Sequence, residues 1–180
     1  ALERFSSPLL SDALSLFYLF SFLPYLAFAF VAYYRGELEA FKRFCAGLFT
    51  VYALGFLGYT LWPAVGPYAS MAERFRGPLE GGLLTIAHHA FVLRGTNGID
   101  AFPSLHCALT AYALFFDRAH SPRRFRFMLA PAALLWVATV YLRYHYIVDV
   151  AAGFAVAGAG LWAARQPGLR RFSRSRSFCS

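Results

Sequence analysis

Long apolar runs alternate along the chain with short polar or Pro/Gly-rich interruptions. Residues 13–34, 44–67, 125–142 and 145–164 are nearly free of charge. Each has the length a helix needs to cross a hydrocarbon core of about 30 Å. Residues 104–119 form a further apolar segment; as a helix it covers only about 24 Å, so its start is expected in a recess below the membrane surface. Residues 81–93 are apolar but too short to cross, which predicts a re-entrant or interfacial helix. Pro24 predicts a kink in the first run. The sequence Trp62-Pro63-Ala64-Val65-Gly66-Pro67-Tyr68 ends the second at an interface, and Gly95-Thr96-Asn97-Gly98 is a turn. The expected fold is an all-α polytopic membrane bundle of five spans plus one short interfacial helix. It forms a single domain, residues 1–164, followed by a basic cytoplasmic tail, residues 165–180.

Composition agrees with this pattern. The chain is 59% hydrophobic and 14% charged, with mean hydropathy +0.49, whereas a soluble domain is nearer a quarter charged. The net charge of +8 lies between apolar segments, which points to membrane topology and anionic headgroups and not to nucleic acid. Cys45, Cys107 and Cys179 show no metal or redox spacing. No cleavable signal peptide is visible. Arg35, Lys42, Arg43, Arg118, Arg123, Arg124, Arg126 and the arginines from Arg165 onward give twelve positive charges on one set of loops. Arg4, Arg74, Arg76, Arg94 and Arg143 give five on the other. The positive-inside rule makes the first set cytoplasmic. Ser104, His106, Arg143 and His145 then reach the outer face, with Asp149 one turn deeper. Ala1 also falls outside, which raises the expectation of a sixth span preceding it.

Two polar clusters carry candidate chemistry. Pro103-Ser104-Leu105-His106 precedes an apolar run and predicts a helix N-terminus, with Pro103 in the first turn, Ser104 as cap and His106 on the first turn. Such an end favours a phosphate. Ser104 is therefore a cap, a phosphate donor or both, and His106 a general acid. In the second cluster, His145 and Asp149 are four apart, on one helix face, where the carboxylate accepts the imidazole N–H and raises its basicity. Arg143 is a candidate phosphate clamp.

The first cluster resembles the Pro-Ser-Gly-His motif of the type 2 phosphatidic acid phosphatase (PAP2) superfamily. His145-Tyr146-Ile147-Val148-Asp149, followed by Ala152-Gly153, resembles the end of that family's third motif. The likeness covers about residues 62–153. It implies that His145 attacks phosphorus to form a phosphohistidine, that Asp149 orients it, and that His106 protonates the leaving group, with no metal or cofactor. Leu105 replaces the motif glycine, and Ala138-Thr139 stands where the family has Ser-Arg. Arg76-Gly77-Pro78 is the nearest counterpart of the first motif, so Arg76, Arg74 or Arg94 is expected to supply a phosphate-binding charge. The Pro-Ser-Leu-His form is similar to the branch containing inositol phosphorylceramide synthases.

The expected activity is therefore that of a phosphatase or phosphotransferase acting on a lipid phosphate or phospholipid at the extracytoplasmic face, in the cytoplasmic membrane. Membrane lipids are the expected partners, and the oligomeric state is left open. The rivals are a metal-dependent hydrolase using His88, His89, His106, His145 and Asp149, and a non-catalytic lipid-binding or transport paralogue. An intramembrane serine protease lacks its Gly-x-Ser-Gly setting, and the spans exclude a soluble haloperoxidase.

Overall fold

The computed structural model describes residues 7–75, 77 and 79–166; Arg4, Arg76, Pro78 and the tail from residue 167, with Cys179, lie outside the described residues. The described residues form α1 (Pro8–Ser21), α2 (Leu23–Tyr34), α3 (Leu38–Leu61), α4 (Pro67–Ser70), a 3₁₀ turn (Ala72–Arg74), α5 (Leu83–Gly95), α6 (Leu105–His120), α7 (Pro122–Tyr141) and α8 (Ile147–Ala164). The fold is all-α.

Local chemistry sets the helix ends. Ser7 caps α1 by accepting the Leu10 N–H at 3.3 Å, with Pro8 in the first turn. The first apolar run breaks at Phe22, whose backbone leaves helical geometry, and Pro24 sits in the opening turn of α2. The second run leaves the helix at Leu61, where the expected stop begins, because Trp62 and Pro63 end it. The last begins at Ile147, with Tyr146 as its cap. Asp12 of α1 caps α5 from outside, accepting the N–H groups of Gly82 and Thr85 at 3.0 and 2.9 Å and the Thr85 hydroxyl at 2.6 Å. A carboxylate at a helix N-terminus meets free donors and a favourable dipole, so this contact fixes α5 on α1.

Among the described residues, three stretches are long and apolar enough to cross a membrane: Pro8–Tyr34, Leu38–Leu61 and Ile147–Ala164. The protein is an integral membrane protein. α6 has 16 residues, and α7 opens with Arg123, Arg124 and Arg126 and carries Pro131 in its interior. The surface is apolar in the manner of a chain solvated by lipid, with Leu9, Phe28, Phe49, Phe56 and Trp162 all exposed.

α6 is the axis of the bundle. It packs on α3, α7 and α8, with α2 at its side, while α1 lies on α7 and α5 on α1. Its residues 107–114 are all buried, as expected of a helix apolar on every face. Glycines allow the close approach. A Cβ on Gly55 would strike Leu105, one on Gly58 would strike Pro103, and one on Gly153 would stand 2.7 Å from the Ser104 carbonyl oxygen. The start of α6 is therefore gripped between α3 and α8.

Candidate active site

Ser104 caps α6, its Oγ accepting the Cys107 N–H at 3.4 Å, and His106 sits on the first turn. Pro103 does not form that turn. The helix begins at Leu105, and Pro103 precedes the cap, joined to Phe102 by a cis peptide bond and packed on Gly58. The Ser104 N–H donates to the Asp149 carbonyl at 3.0 Å, which ties the start of α6 to the first turn of α8. The His106 ring lies 4.3 Å from Phe22 and 5.0 Å from Tyr18, centroid to centroid. Its Nδ1 is buried with no hydrogen-bond partner.

His145 comes from the turn between α7 and α8, not from a helix face. The Thr139 carbonyl at the end of α7 accepts the N–H groups of both Tyr144 and His145, at 3.1 and 3.0 Å. Arg143 makes the sharp bend between them at φ +65°. The His145 Nδ1 lies 2.9 Å from the Ala101 carbonyl oxygen. A carbonyl only accepts, so Nδ1 carries the proton and Nε2 is left with its lone pair. This corrects the expectation that Asp149 accepts that proton. Asp149 Oδ2 stands 3.7 Å from Nδ1 and instead accepts the Tyr146 N–H at 2.7 Å, closing a capping box at the start of α8. Asp149 is buried at 2% exposure, so its charge acts on the imidazole through little solvent. Ala101 is held in turn. Its N–H donates to the Ala64 carbonyl, and the Ala64 N–H to the Ile99 carbonyl, both at 3.0 Å.

The two imidazoles are 5.7 Å apart between centroids. Both line a cavity of about 560 Å³, walled mostly by apolar and aromatic groups including Tyr18, Phe22, Phe91 and Tyr144. Histidines 39 residues apart in sequence thus meet at one opening, with Asp149 behind one and Ser104 beneath the other. Ser104 is fully buried and engaged as the cap. Arg143 does not line this cavity. Its guanidinium donates to the Gly77 carbonyl at 2.9 Å, lies 3.9 Å from the Phe75 ring centre, and faces an adjacent cavity of about 640 Å³ with His89 and Leu142. Arg76 is outside the described residues.

Of the histidines of the rival metal reading, His88 and His89 do not line this cavity. His88 is 1% exposed, with both ring nitrogens unpartnered, against Tyr18 at 4.4 Å. Burial, with a smaller contribution from His89, pulls its pKa down to about 4. His89 stacks on Tyr144, its Nδ1 3.2 Å from the phenol oxygen. Among the described residues no three His, Cys, Asp or Glu side chains are grouped to hold a metal ion.

This arrangement fits what comparison with known families finds. A PAP2 superfamily profile matches residues 4–163. The chain belongs to the PAP2 superfamily. A relative, the phosphoinositol dihydroceramide synthase of Bacteroides thetaiotaomicron, is 26% identical over 165 residues, covering 84% of this chain and 54% of that protein. The chain thus spans about half the length of that relative. No solved structure matches it.

Three features of this PAP2 site escape sequence reasoning. The Ala101 carbonyl is backbone and leaves no residue-type signal. Tyr18 is one of 11 tyrosines. Asp100, which lines the cavity with both histidines, did carry a signal: it is a carboxylate between the Gly95–Gly98 turn and Phe102-Pro103.

Proposed function

We propose that the protein is a lipid-phosphate phosphatase or phosphotransferase working through a phosphohistidine on His145. The observation that carries this reading is the His145 Nδ1–Ala101 carbonyl hydrogen bond of 2.9 Å, which aims an unprotonated Nε2 away from its own anchor. Nε2 attacks phosphorus and the ester oxygen leaves. The ring becomes cationic, and the Asp149 carboxylate 3.7 Å from Nδ1 stabilises that charge. His106 gives its proton to the leaving oxygen. It then takes one from the incoming hydroxyl, water in a phosphatase or an alcohol in a transferase, as that oxygen attacks the phosphohistidine. No step calls for a metal, and the lack of a three-residue His, Cys, Asp or Glu group among the described residues supports that reading.

A lipid substrate is supported by the apolar cavity and the lipid-facing surface around it. The name of the Bacteroides thetaiotaomicron relative, a phosphoinositol dihydroceramide synthase, favours transfer onto a lipid alcohol. In this reading α6 and α7 cross the membrane inside the bundle, making five spans, and α5 is interfacial. The excess of basic residues around the α2–α3 and α6–α7 connections supports an extracytoplasmic position for the opposite end, with both histidines.

The test is phosphoryl transfer from a panel of lipid phosphates in detergent with EDTA. Wild type is expected to turn over. His145→Ala should lose at least about 10³-fold, and His106→Gln about 10²–10⁴-fold. Wild type quenched in alkaline detergent, where a phosphorus–nitrogen bond survives, should carry phosphorus on histidine. Activity that disappears with EDTA and returns with a divalent metal, or that survives His145→Ala, overturns the mechanism.

A further inference from the structure

The cavity holding the two histidines has one formally charged side chain on its described wall, and it is an anion. Asp100 lines it with His106 and His145, and no arginine or lysine does so among the described residues. The cation expected there, Arg143, faces the neighbouring cavity.

Asp100 is also firmly placed. The Thr96 hydroxyl, just past the end of α5, donates to its Oδ1. The hydrogen bonds from Ala64 to Ile99 and from Ala101 to Ala64 hold the backbone on either side of it. The next residue, Ala101, supplies the carbonyl that orients His145. The segment that aims the nucleophile therefore also carries a carboxylate into the space where a phosphoester must sit.

Charge then separates two classes of donor. A phosphomonoester loses a second proton near pH 6 and is a dianion above it, whereas a phosphodiester stays a monoanion. Repulsion scales with the product of charges. At an effective dielectric constant of about 20, a second unit charge even about 12 Å from a carboxylate weakens binding by a factor of about ten. Mostly apolar walls do little to screen it.

We propose that Asp100 is a specificity-determining residue that turns away phosphomonoester dianions and admits phosphodiester monoanions, so that the site takes a phospholipid headgroup ester in preference to a phosphatidate-type monoester. This rests on the reading that the cavity binds a lipid phosphoester, and it names the class.

The experiment is equilibrium binding of two lipids with identical tails, dioleoyl phosphatidate and dioleoyl phosphatidylmethanol, in detergent with EDTA. The His145→Asn protein is used so that binding is read without turnover, and the measurement is repeated with Asp100→Asn added. At pH 8.5 the diester should bind on the order of tenfold more tightly. At pH 5, where the monoester carries one charge, the ratio should fall toward one. Asp100→Asn should bring the pH 8.5 ratio down to the pH 5 value. The other titratable groups facing Asp100 and the cavity are Tyr18 of α1, Tyr59 of α3, Tyr68 of α4, His106 of α6, and Tyr144 with residue 145 from the α7–α8 turn, where Asp149 lies behind. Both lipids meet them alike, so the ratio isolates the phosphate's own charge. Equal binding at pH 8.5, a preference for the monoester, or a preference that persists at pH 5 or in Asp100→Asn overturns the proposal while leaving the lipid site standing. Binding of neither lipid overturns the lipid-phosphoester reading and this inference with it. Should Asp100→Asn fail to fold, the pH comparison alone decides.

Discussion

α6 has a polar cluster at each end, and the two are built in opposite ways. At its C-terminal end Asp117 is fully buried and saturated. It accepts the Tyr25 hydroxyl at 2.7 Å, the Tyr33 hydroxyl, the Arg124 Nε at 2.6 Å and the Arg124 Nη2. The guanidinium lies 4.6 Å from the Tyr33 ring centre. This cluster joins α2, α6 and α7 and leaves neither carboxylate oxygen without a partner. At the N-terminal end His106 Nδ1, the Tyr18 hydroxyl and both nitrogens of His88 are buried without one, beside a cavity. Buried polar groups are nearly always hydrogen-bonded, so a group of exceptions calls for a reason. A saturated cluster stabilises a fold. An unsaturated one beside a cavity is where polar capacity remains for a substrate.

The largest effect that separates the two ends is expected from Asp117→Ala. Removing the carboxylate strands a partly buried guanidinium and two phenols, a loss of about 3–5 kcal/mol. Thermal unfolding in detergent should show a large drop in midpoint. Turnover per folded molecule should stay within about threefold of wild type, because the proposed catalytic groups all lie at the other end. His145→Ala should give the reverse, with little change in midpoint and no turnover. An Asp117→Ala protein that melts normally and is inactive would break the comparison, since the far end would then take part in the chemistry.

The difference between the ends also explains what could be read from the sequence. The unsaturated end was legible because its residues are chemically distinctive and stand at or just before helix starts. Ser104, His106, His145 and Asp149 are the polar residues flanking two apolar runs, and the structure brings both histidines to one cavity. The saturated end was not legible. Arg124 counts as one more loop cation by sequence, yet it sits in the first turn of α7 and reaches Asp117 seven residues away across a helix junction. The partners of His145 were hidden for a different reason. Spacing places Asp149 one helical turn from His145, but residue 145 lies in a turn held by the Thr139 carbonyl, so its proton goes to Ala101. In α8, Gly153, Gly158 and Gly160 among alanines are a composition that suits close helix packing, but composition does not say which of them makes the contact. Gly153 meets the Ser104 carbonyl, whereas a Cβ on Gly158 would touch nothing within 4 Å.

That contrast gives the next, smaller effect. In Gly153→Ala the new Cβ meets backbone, the Ser104 carbonyl oxygen at 2.7 Å and the Ala108 nitrogen at 3.3 Å, which cannot swing aside as a side chain can. α8 must move off α6, at a cost of about 1–3 kcal/mol. The displacement carries Asp149 and the Ser104–Asp149 hydrogen bond with it. Turnover should fall by about tenfold or more, since small misplacements of catalytic groups are costly. Gly158→Ala on the same helix should be neutral, or stabilising by up to about 1 kcal/mol through helix propensity. Melting and kinetics of the pair check this. Equal behaviour of the two variants would show that the grip of α8 on α6 does not position the site.

The smallest effect concerns His88, which belongs to the unsaturated end but does not line the cavity that holds the two histidines. Its pKa is held down to about 4 by burial, while an unfolded histidine takes up its proton near 6.5. Between those values the unfolded chain binds more protons than the folded one, so stability rises with pH across that window. The loss therefore begins as pH falls below about 6.5 and grows until about pH 4. His88→Leu removes this group's share of the slope. It also replaces two orphaned nitrogens with apolar surface beside Tyr18 and Tyr144, so at pH 8 the variant should match or exceed wild type in stability. Melting curves from pH 4.5 to 8 should show the variant gaining on wild type as pH falls, with turnover at pH 8 changed less than about threefold. If turnover collapses at pH 8 while the melting curves coincide, His88 acts in the chemistry. The polar capacity of the active end would then extend a layer deeper than the cavity wall.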